Sequence, residues 1–489
     1  MIHTKQVIKY ILISLFIAFY NCSGFLEQEP GSQTSINEQL STKPGVVTAL
    51  NGIYSNLESN LRSEVLAVYS DLQSGNLTFT PTDTGNNIGQ IKVPFTIENA
   101  YSFSDISTES NLENFYNKSY DIINQTNLIL EYVDVLTDAT ETEKNQIKAE
   151  ALTIRAYTHF TLSLLYSQNY GYTSGASHKG IVYNTTTLTS GITYPSRENS
   201  ANTYSLIITD LQTALTYYSD ALLLDGPTYS YFNTISTKAL LARVYLSKND
   251  FQNAYDTAND VILNSGTSLI SSDNLISEWE KTDTPVSEIL LELSVPRGSG
   301  GSVGGSLASH FGFTSSSNYS DYVASADLIA IYEDSDLRKQ LFLEEQLPTL
   351  VDEDLEDASY FFTKKFQDNP GYVVFRLSEM YLIRAEASLG LNNLEDCKTD
   401  INIIRSRANA SLLENTTGLK TALLLERRKE MCFEGQYFFD LARNQQDIVR
   451  GADCISQTCS LNYPSLKFIL PIPQSNIELN ENLAQNESY

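Results

Sequence analysis

Apolar and small residues recur every three to four positions over most of the chain, the spacing of helices that bury one stripe. The clearest stretch is "TKALLARVYLSKNDFQNAYDTANDVIL", Thr237 to Leu263. Ala239, Ala242, Tyr245 and Leu246 share one face, the pattern stops at Lys248-Asn249-Asp250, and it restarts with Phe251, Ala254 and Ala258. Small residues at these places let two antiparallel helices approach closely. The same design returns in "LSEMYLIRAEASLGLNNLEDCKTDINIIRSRA", Leu377 to Ala408, with its break at Gly390-Leu391-Asn392-Asn393.

Two copies of a helix-turn-helix unit of roughly 34 residues carry the signature of a tetratricopeptide-like array. Ala149 to Ser167 and Leu423 to Arg443 read as degenerate members. The fold class expected is mainly α, a tetratricopeptide-like helical repeat array with a loop-rich insertion containing short strands over about residues 265–370. Within that insertion lie a strand at Ile289 to Val295, a glycine-serine segment, and the acidic run Val351-Asp-Glu-Asp-Leu-Glu-Asp357. A second non-helical region, Gly75 to Ser107, interrupts the N-terminal helices.

The N-terminus sets the compartment. His3, Lys5 and Lys9 precede the apolar run Tyr10 to Tyr20, whose eleven residues have signal-peptide length and fall short of the roughly 20 needed to span a bilayer. Residues 1–21 are read as a lipoprotein signal peptide and 22–489 as one exported domain. Cys22, followed by Ser23 and Gly24, is the expected lipidation site. Phe19, Tyr20 and Asn21 depart from the usual small residues before such a cysteine. No later run reaches 18 apolar residues, so membrane attachment is expected through this lipid alone. In an oxidising compartment, Cys454-Ile-Ser-Gln-Thr-Cys459 reads as a small disulfide loop. Cys397 and Cys432 lie in helical patterns and read as small buried residues.

Charge narrows the partners: 32 Lys and Arg against 59 Asp and Glu leave −27, scattered along the chain. That field repels phosphate backbones and anionic lipid surfaces, so no nucleic-acid partner is expected. Composition favours wet, ring-lined surfaces, with 30 tyrosines and one tryptophan. Catalysis finds little support. Three histidines remain after export (His159, His178, His310), dispersed along the chain, and no H-E-x-x-H or G-x-S-x-G motif occurs. Carboxylate pairs of the glycosidase kind come from distant segments and are not readable from sequence. No cofactor or metal site is assigned. Asp334-Ser-Asp336 and residues 352–357 admit a structural calcium ion, but neither has an EF-hand loop and both read first as solvated acidic surface.

The segment "RGSGGSVGGSLASHFGFTSSSNYSDY", Arg297 to Tyr322, holds six glycines and eight serines before Tyr322. Gly300 and Gly305 have P-loop spacing, yet Ser306-Leu307 follows where lysine is required, and Val303 stands where a dinucleotide loop needs its third glycine. Phosphate binding is thereby excluded. The segment ends in rings (His310, Phe311, Phe313, Tyr319, Tyr322), which suit the apolar faces of sugars while serine and asparagine take up hydroxyls. The competing reading is a surface linker.

Several longer motifs go further: "CSGFLEQEP" from Cys22, "ALNGIYSNL" from Ala49, "IYEDSDLRK" from Ile331, "FRLSEMYLIRAEASLG" from Phe375, "INIIRSRA" from Ile401, "LLLERRKEMCFEGQYFFDLAR" from Leu423 and "LPIPQSNIELNENLAQNESY" from Leu470. Together they resemble the SusD/RagB family of outer-membrane lipoproteins of Bacteroidota, from Cys22 to the last residue. The resemblance implies a surface-exposed, lipid-anchored protein of the outer membrane. Such a protein binds a nutrient, usually a polysaccharide or oligosaccharide, and delivers it to a SusC-like TonB-dependent transporter. It implies an all-helical core of four tetratricopeptide-like pairs and no enzyme activity. It also makes Arg384, Glu386, Glu426, Arg427 and Glu434 structural ion pairs, with Asp336 and Arg338 as braces. Ligand contacts in such proteins come from loops outside the repeats. That points to Phe79, Phe95, Tyr101, Trp279, Phe311, Tyr319 and Tyr322 as rings and to Asn76 and His310 as polar contacts, although Gly75-Asn76 departs from the Asp-Asn or Asp-Glu of many relatives. Trp279 in "LISEWEK" reads equally well as a core residue. The alternatives are a peptide nutrient for the same architecture, a secreted glycoside hydrolase, or a scaffold that binds only proteins through its concave surface.

Overall fold

The computed structural model describes residues 35–83, 85–187, 191–219, 221–281, 284–293, 307–366 and 371–489. Signal peptide, Cys22 and the glycine-rich half of the 297–322 segment lie outside the described residues.

Helices dominate and succeed one another in contact. Lys43–Leu61 packs on Glu113–Tyr132, Glu141–Tyr166 on Ser200–Tyr217, Thr234–Ser247 on Phe251–Asn264, and Leu377–Gly390 on Leu394–Arg407. Neighbouring pairs also touch, Glu113–Tyr132 against Glu141–Tyr166 and Phe251–Asn264 against Leu377–Gly390, so the described residues form a continuous array of four pairs. Leu419–Met431 closes the last pair over a core of Leu382, Cys397, Ile401, Ile404 and Leu423.

The two units read from sequence share one turn. Asn249 and Asn392 both adopt left-handed backbone, φ +60° and +62°, a conformation asparagine tolerates better than most residues. In each unit the next amide reaches back five residues, Asp250 N to Tyr245 O (2.9 Å) and Asn393 N to Ser388 O (2.8 Å), which satisfies a terminal carbonyl. Close approach calls for glycine where two pairs meet: a Cβ on Gly390 would stand 2.4 Å from the Phe251 ring of the adjoining pair.

The insertion contains, besides short strands, a hairpin of two ten-residue strands, Phe342–Val351 and Asp354–Thr363, turned by Asp352 and Glu353 at φ +47° and +76°. The acidic run is this exposed hairpin tip. The hairpin extends a sheet ordered Leu77–Phe79, Tyr322–Ala324, Asp354–Thr363, Phe342–Val351. Ile289–Leu293, inside the predicted 289–295 strand, pairs antiparallel with Tyr372–Arg376.

Beneath the insertion lies a dense buried charge network. Arg376, fully buried, donates to Glu288 (2.7 Å), Glu430 (2.6 Å) and Glu434 (2.8 Å). Arg338 joins Asp336 (2.8 Å), Glu426 (2.7 Å) and Glu430 (3.0 Å), and Lys365 joins Glu434 (2.9 Å). Each carboxylate taken from water here meets a cation, and the flanking guanidiniums hold Glu430 well below its ordinary range against the upward push of burial. Arg384 pairs with Asp400 (2.6 Å), Glu386 with Arg443, and Arg427 with Asp440 (2.8 Å). These tempting acid and base residues therefore tie packed helices to one another, and Arg376 ties the 372–376 strand to the same network. Asp336 is taken by Arg338 and Asp334 by Lys339 (2.8 Å), and the described residues hold no group of three or more metal-ligating side chains. Cys397 and Cys432 are buried and free, while Cys454 and Cys459 are joined as a disulfide.

Candidate ligand-binding face

The face is assembled from three segments outside the helical pairs. They are the Arg62-Ser63 turn before the helix Glu64–Gln73, the loop from Thr80 to Ile97, and the short helix Leu307–Phe311 with the hairpin Phe313–Ser315/Asn318–Tyr319 behind it. Gly312 makes the sharp turn between that helix and hairpin. A Cβ there would lie 2.3 Å from the Ala308 carbonyl, while its own carbonyl accepts both the amide (3.0 Å) and hydroxyl (2.9 Å) of Ser320. Thr80 ties loop to hairpin, its amide donating to Asp321 O (3.0 Å) and its hydroxyl to Ser320 O (2.9 Å).

The rings singled out from sequence separate into two layers. Phe79, Tyr101 and Tyr322 form a buried trio, with centroids 4.9 Å apart for Phe79–Tyr101 and 5.8 Å for Phe79–Tyr322. Phe311 is buried against Phe366 and Phe433. Trp279 is buried edge-on to Phe366 (6.1 Å), with Arg376 5.5 Å and Lys365 5.2 Å from its ring. These five rings are core, so their placement as ligand contacts is corrected: each ring face already meets protein. Asn76 is corrected likewise. It is fully buried, donates to Asp71 (2.8 Å) and accepts from Arg428 Nε (2.7 Å), bracing the Glu64–Gln73 helix to Leu419–Met431.

Phe95, Tyr319 and His310 keep part of their surface open to solvent. Phe95 is 87 % exposed on the loop. Tyr319 is half-buried and stacks parallel to Phe313 (6.4 Å, 10°), both resting on Phe362, while its hydroxyl donates to Pro81 O (2.8 Å). His310 Nε2 donates to the Arg62 carbonyl (3.1 Å), and burial lowers its pKa.

Carboxylates that the sequence did not single out surround these rings. Glu64 accepts from Tyr322 Oη (2.8 Å) and Thr96 Oγ1 (3.1 Å), linking the segment beside Phe95 to the strand after Tyr319. Asp321 is raised by partial burial and by the charges of Glu64 and Asp83. Burial together with Asp83 and Tyr360 pushes the Tyr319 phenol up to about 12. The arrangement offers one exposed ring, Phe95, and the half-buried Tyr319 on a face that also carries carboxylates, which suits a polyhydroxylated ligand. No sequence motif marks Glu64, Asp83 or Asp321, because pairing between segments more than 200 residues apart gathers them.

Comparison with known proteins follows the same outline. The model of the SusD family matches residues 361–489, and the model described as "Starch-binding associating with outer membrane" matches residues 25–246. The matches do not overlap, and they leave only 1–24 and 247–360 uncovered. The chain belongs to the SusD/RagB family. Along almost its whole length it is similar to SusD-like protein P25 of Formosa agariphila, 22 % identical over 98 % of each chain. Among solved SusD superfamily structures, one from Bacteroides thetaiotaomicron is 26 % identical with a TM-score of 0.77, covering 91 % of this chain and 99 % of its own. A SusD-like carbohydrate binding protein from Bacteroides vulgatus shares the fold at 19 % identity, with a TM-score of 0.74 over 91 % of this chain and 97 % of its own. In this SusD-like chain, both the insertion after the helix Phe251–Asn264 and Phe95 with its loop stand outside the helical pairs, and the candidate face lies where the two meet.

Proposed function

We propose that the protein captures a glycan on the loop face, as a surface-exposed lipoprotein of the outer membrane, and delivers it to a SusC-like TonB-dependent transporter. The observation that carries the reading is Phe95, a large ring left 87 % exposed on a loop cross-braced to the Tyr319 hairpin. A phenyl ring held out in water by a buttressed loop is a platform for stacking, worth about 1 kcal/mol per sugar ring. The family description, starch-binding with outer-membrane association, supports both the ligand class and the location.

Membrane attachment is assigned to lipidated Cys22. No described helix is long and apolar enough to cross a membrane. Binding without turnover is the expected chemistry. Glu64 is held by two hydroxyl donors and positions the face, and the buried acid pairs at Glu386, Glu426 and Glu434 are braced inside the protein.

The test is a native gel cast with single polysaccharides from a broad panel. Retardation by one or a few glycans without release of reducing ends is the predicted result. Reducing-end release by the pure protein, or mobility unchanged across the panel, contradicts the reading.

A further inference from the structure

A second recess lies away from the loop face, between the N-terminal half of the helix Glu141–Tyr166 and the segment from Tyr218 to Asn233. It is a cleft of about 310 Å³ lined by Gln146, Glu150, Ser219, Leu222, Tyr231 and Asn233, among others. Glu150 is 4 % exposed at its base. Its carboxylate accepts only neutral donors, Tyr54 Oη (2.7 Å) and Gln146 Nε2 (2.8 Å).

That solvation separates Glu150 from the ion-paired acids of the charge network. Glu379, Glu430 and Asp440, equally buried, each face a guanidinium, whereas among the described residues no cation pairs with Glu150. The titratable groups that face it are Tyr54, Tyr218 and Tyr231, with Asp225 beyond Tyr231, and all are neutral or acidic. Lysines of the adjoining elements are committed elsewhere: Lys144 to Glu141, Lys148 to Asp134 and Lys238 to Asp260. The carboxylate has been stripped of water without a counter-charge, and burial raises its pKa to about 7. A cation entering the cleft meets an acceptor whose desolvation is already complete.

The remaining lining decides the size and kind of cation. Tyr231 presents a half-buried ring seated edge-on against Tyr54 (5.0 Å), Leu222 is exposed at the mouth, and Ser219 and Asn233 line the wall with side chains already bonded to the backbone. We propose that this cleft is a binding site for a small ligand bearing a primary ammonium, which donates to the Glu150 carboxylate while its body rests on the Tyr231 ring. The inference stands independently of the glycan reading, since it uses no residue of the loop face.

Glucosamine and glucose make a matched pair of probes, differing in the ammonium. Titration calorimetry of the mature protein at pH 7, in two buffers of different ionisation enthalpy, is expected to show glucosamine binding with proton release and no comparable binding of glucose. Glu150→Gln, checked for folding by circular dichroism, is expected to weaken glucosamine by roughly tenfold or more. Tyr231→Ala, at the rim, is expected to weaken it by about fivefold. Equal binding of both probes, undiminished glucosamine binding by folded Glu150→Gln protein, or binding of neither probe overturns the proposal.

Discussion

Replacing Glu150 by glutamine should change how stability depends on pH. In the folded protein this carboxyl keeps its proton up to about pH 7, against 4.5 for the ordinary group. Between those values the folded chain binds more protons than the unfolded chain, so stability falls as pH rises and the whole penalty is present above pH 7. At about 1.36 kcal/mol per pKa unit, the wild-type protein loses roughly 2.5 kcal/mol through this one group between pH 5 and pH 8. Glutamine does not titrate, so the variant escapes that loss. It carries a separate, pH-independent deficit, because its amide NH2 confronts the Gln146 amide that now donates to Glu150, while Gln146 Oε1 is already occupied by Ser219 N (3.1 Å). A lost buried hydrogen bond costs about 1 kcal/mol. The decisive quantity is therefore the change in the difference between the two proteins, in which the deficit cancels. Urea unfolding of both from pH 5 to pH 8 should show the variant gaining on the wild type by about 2.5 kcal/mol across the range. Stability curves that stay parallel to within about 0.5 kcal/mol would refute the assignment of an uncompensated carboxylate at this position.

Three further outcomes follow from the packing. Arg376→Leu leaves Glu288, Glu430 and Glu434 facing one another without their shared guanidinium, and should cost about 3–5 kcal/mol or prevent folding, as read by expression and thermal unfolding; Arg376→Lys should not restore stability, since an ammonium lacks the five-donor fork. Acidification gives the opposite pH trend to Glu150: Glu430 and Glu434 have lowered folded pKa values, so their contribution is present above the ordinary glutamate value and is lost as pH falls through the lower folded one, visible as an acid unfolding limb below about pH 4. Gly390→Ala drives a methyl into the Phe251 ring and should destabilise by about 1–3 kcal/mol in urea titrations, a loss partly recovered in the double variant with Phe251→Leu.

The helical pairs were legible because their signal is local. Alanines at helical spacing and an asparagine-bearing break fix both the helices and the left-handed turns at Asn249 and Asn392. The 342–363 hairpin was not, since its turn is Asp352-Glu353 in place of the asparagine-glycine or aspartate-glycine that favours such a turn, and its acidic residues mask the strand alternation. Ring burial was the least readable feature. Whether Phe79, Tyr101 or Tyr322 faces water depends on a strand of three residues pairing with another some 245 positions away, and sequence spacing carries no record of that register. Trp279 shows the same limit: its helix pattern allowed a core position, and the Lys365–Arg376 charges above its ring fix it there. Phe95 could be placed in a loop from sequence, but its exposure follows from the neighbouring Thr96–Glu64–Tyr322 links that occupy the residues around it and leave its ring outside.

The central claim, capture of a glycan by the braced loop face, is tested most directly by titrating the glycan that retards the protein into wild type, Phe95→Ala and a control at the buried trio, Phe79→Leu. Phe95 touches little protein, so Phe95→Ala should leave thermal stability within about 0.5 kcal/mol while weakening the glycan about fivefold or more. Phe79→Leu should lower stability and leave the affinity of the folded protein near that of wild type. Unchanged affinity in Phe95→Ala, with the loss appearing instead in Phe79→Leu protein that remains folded, would contradict the account.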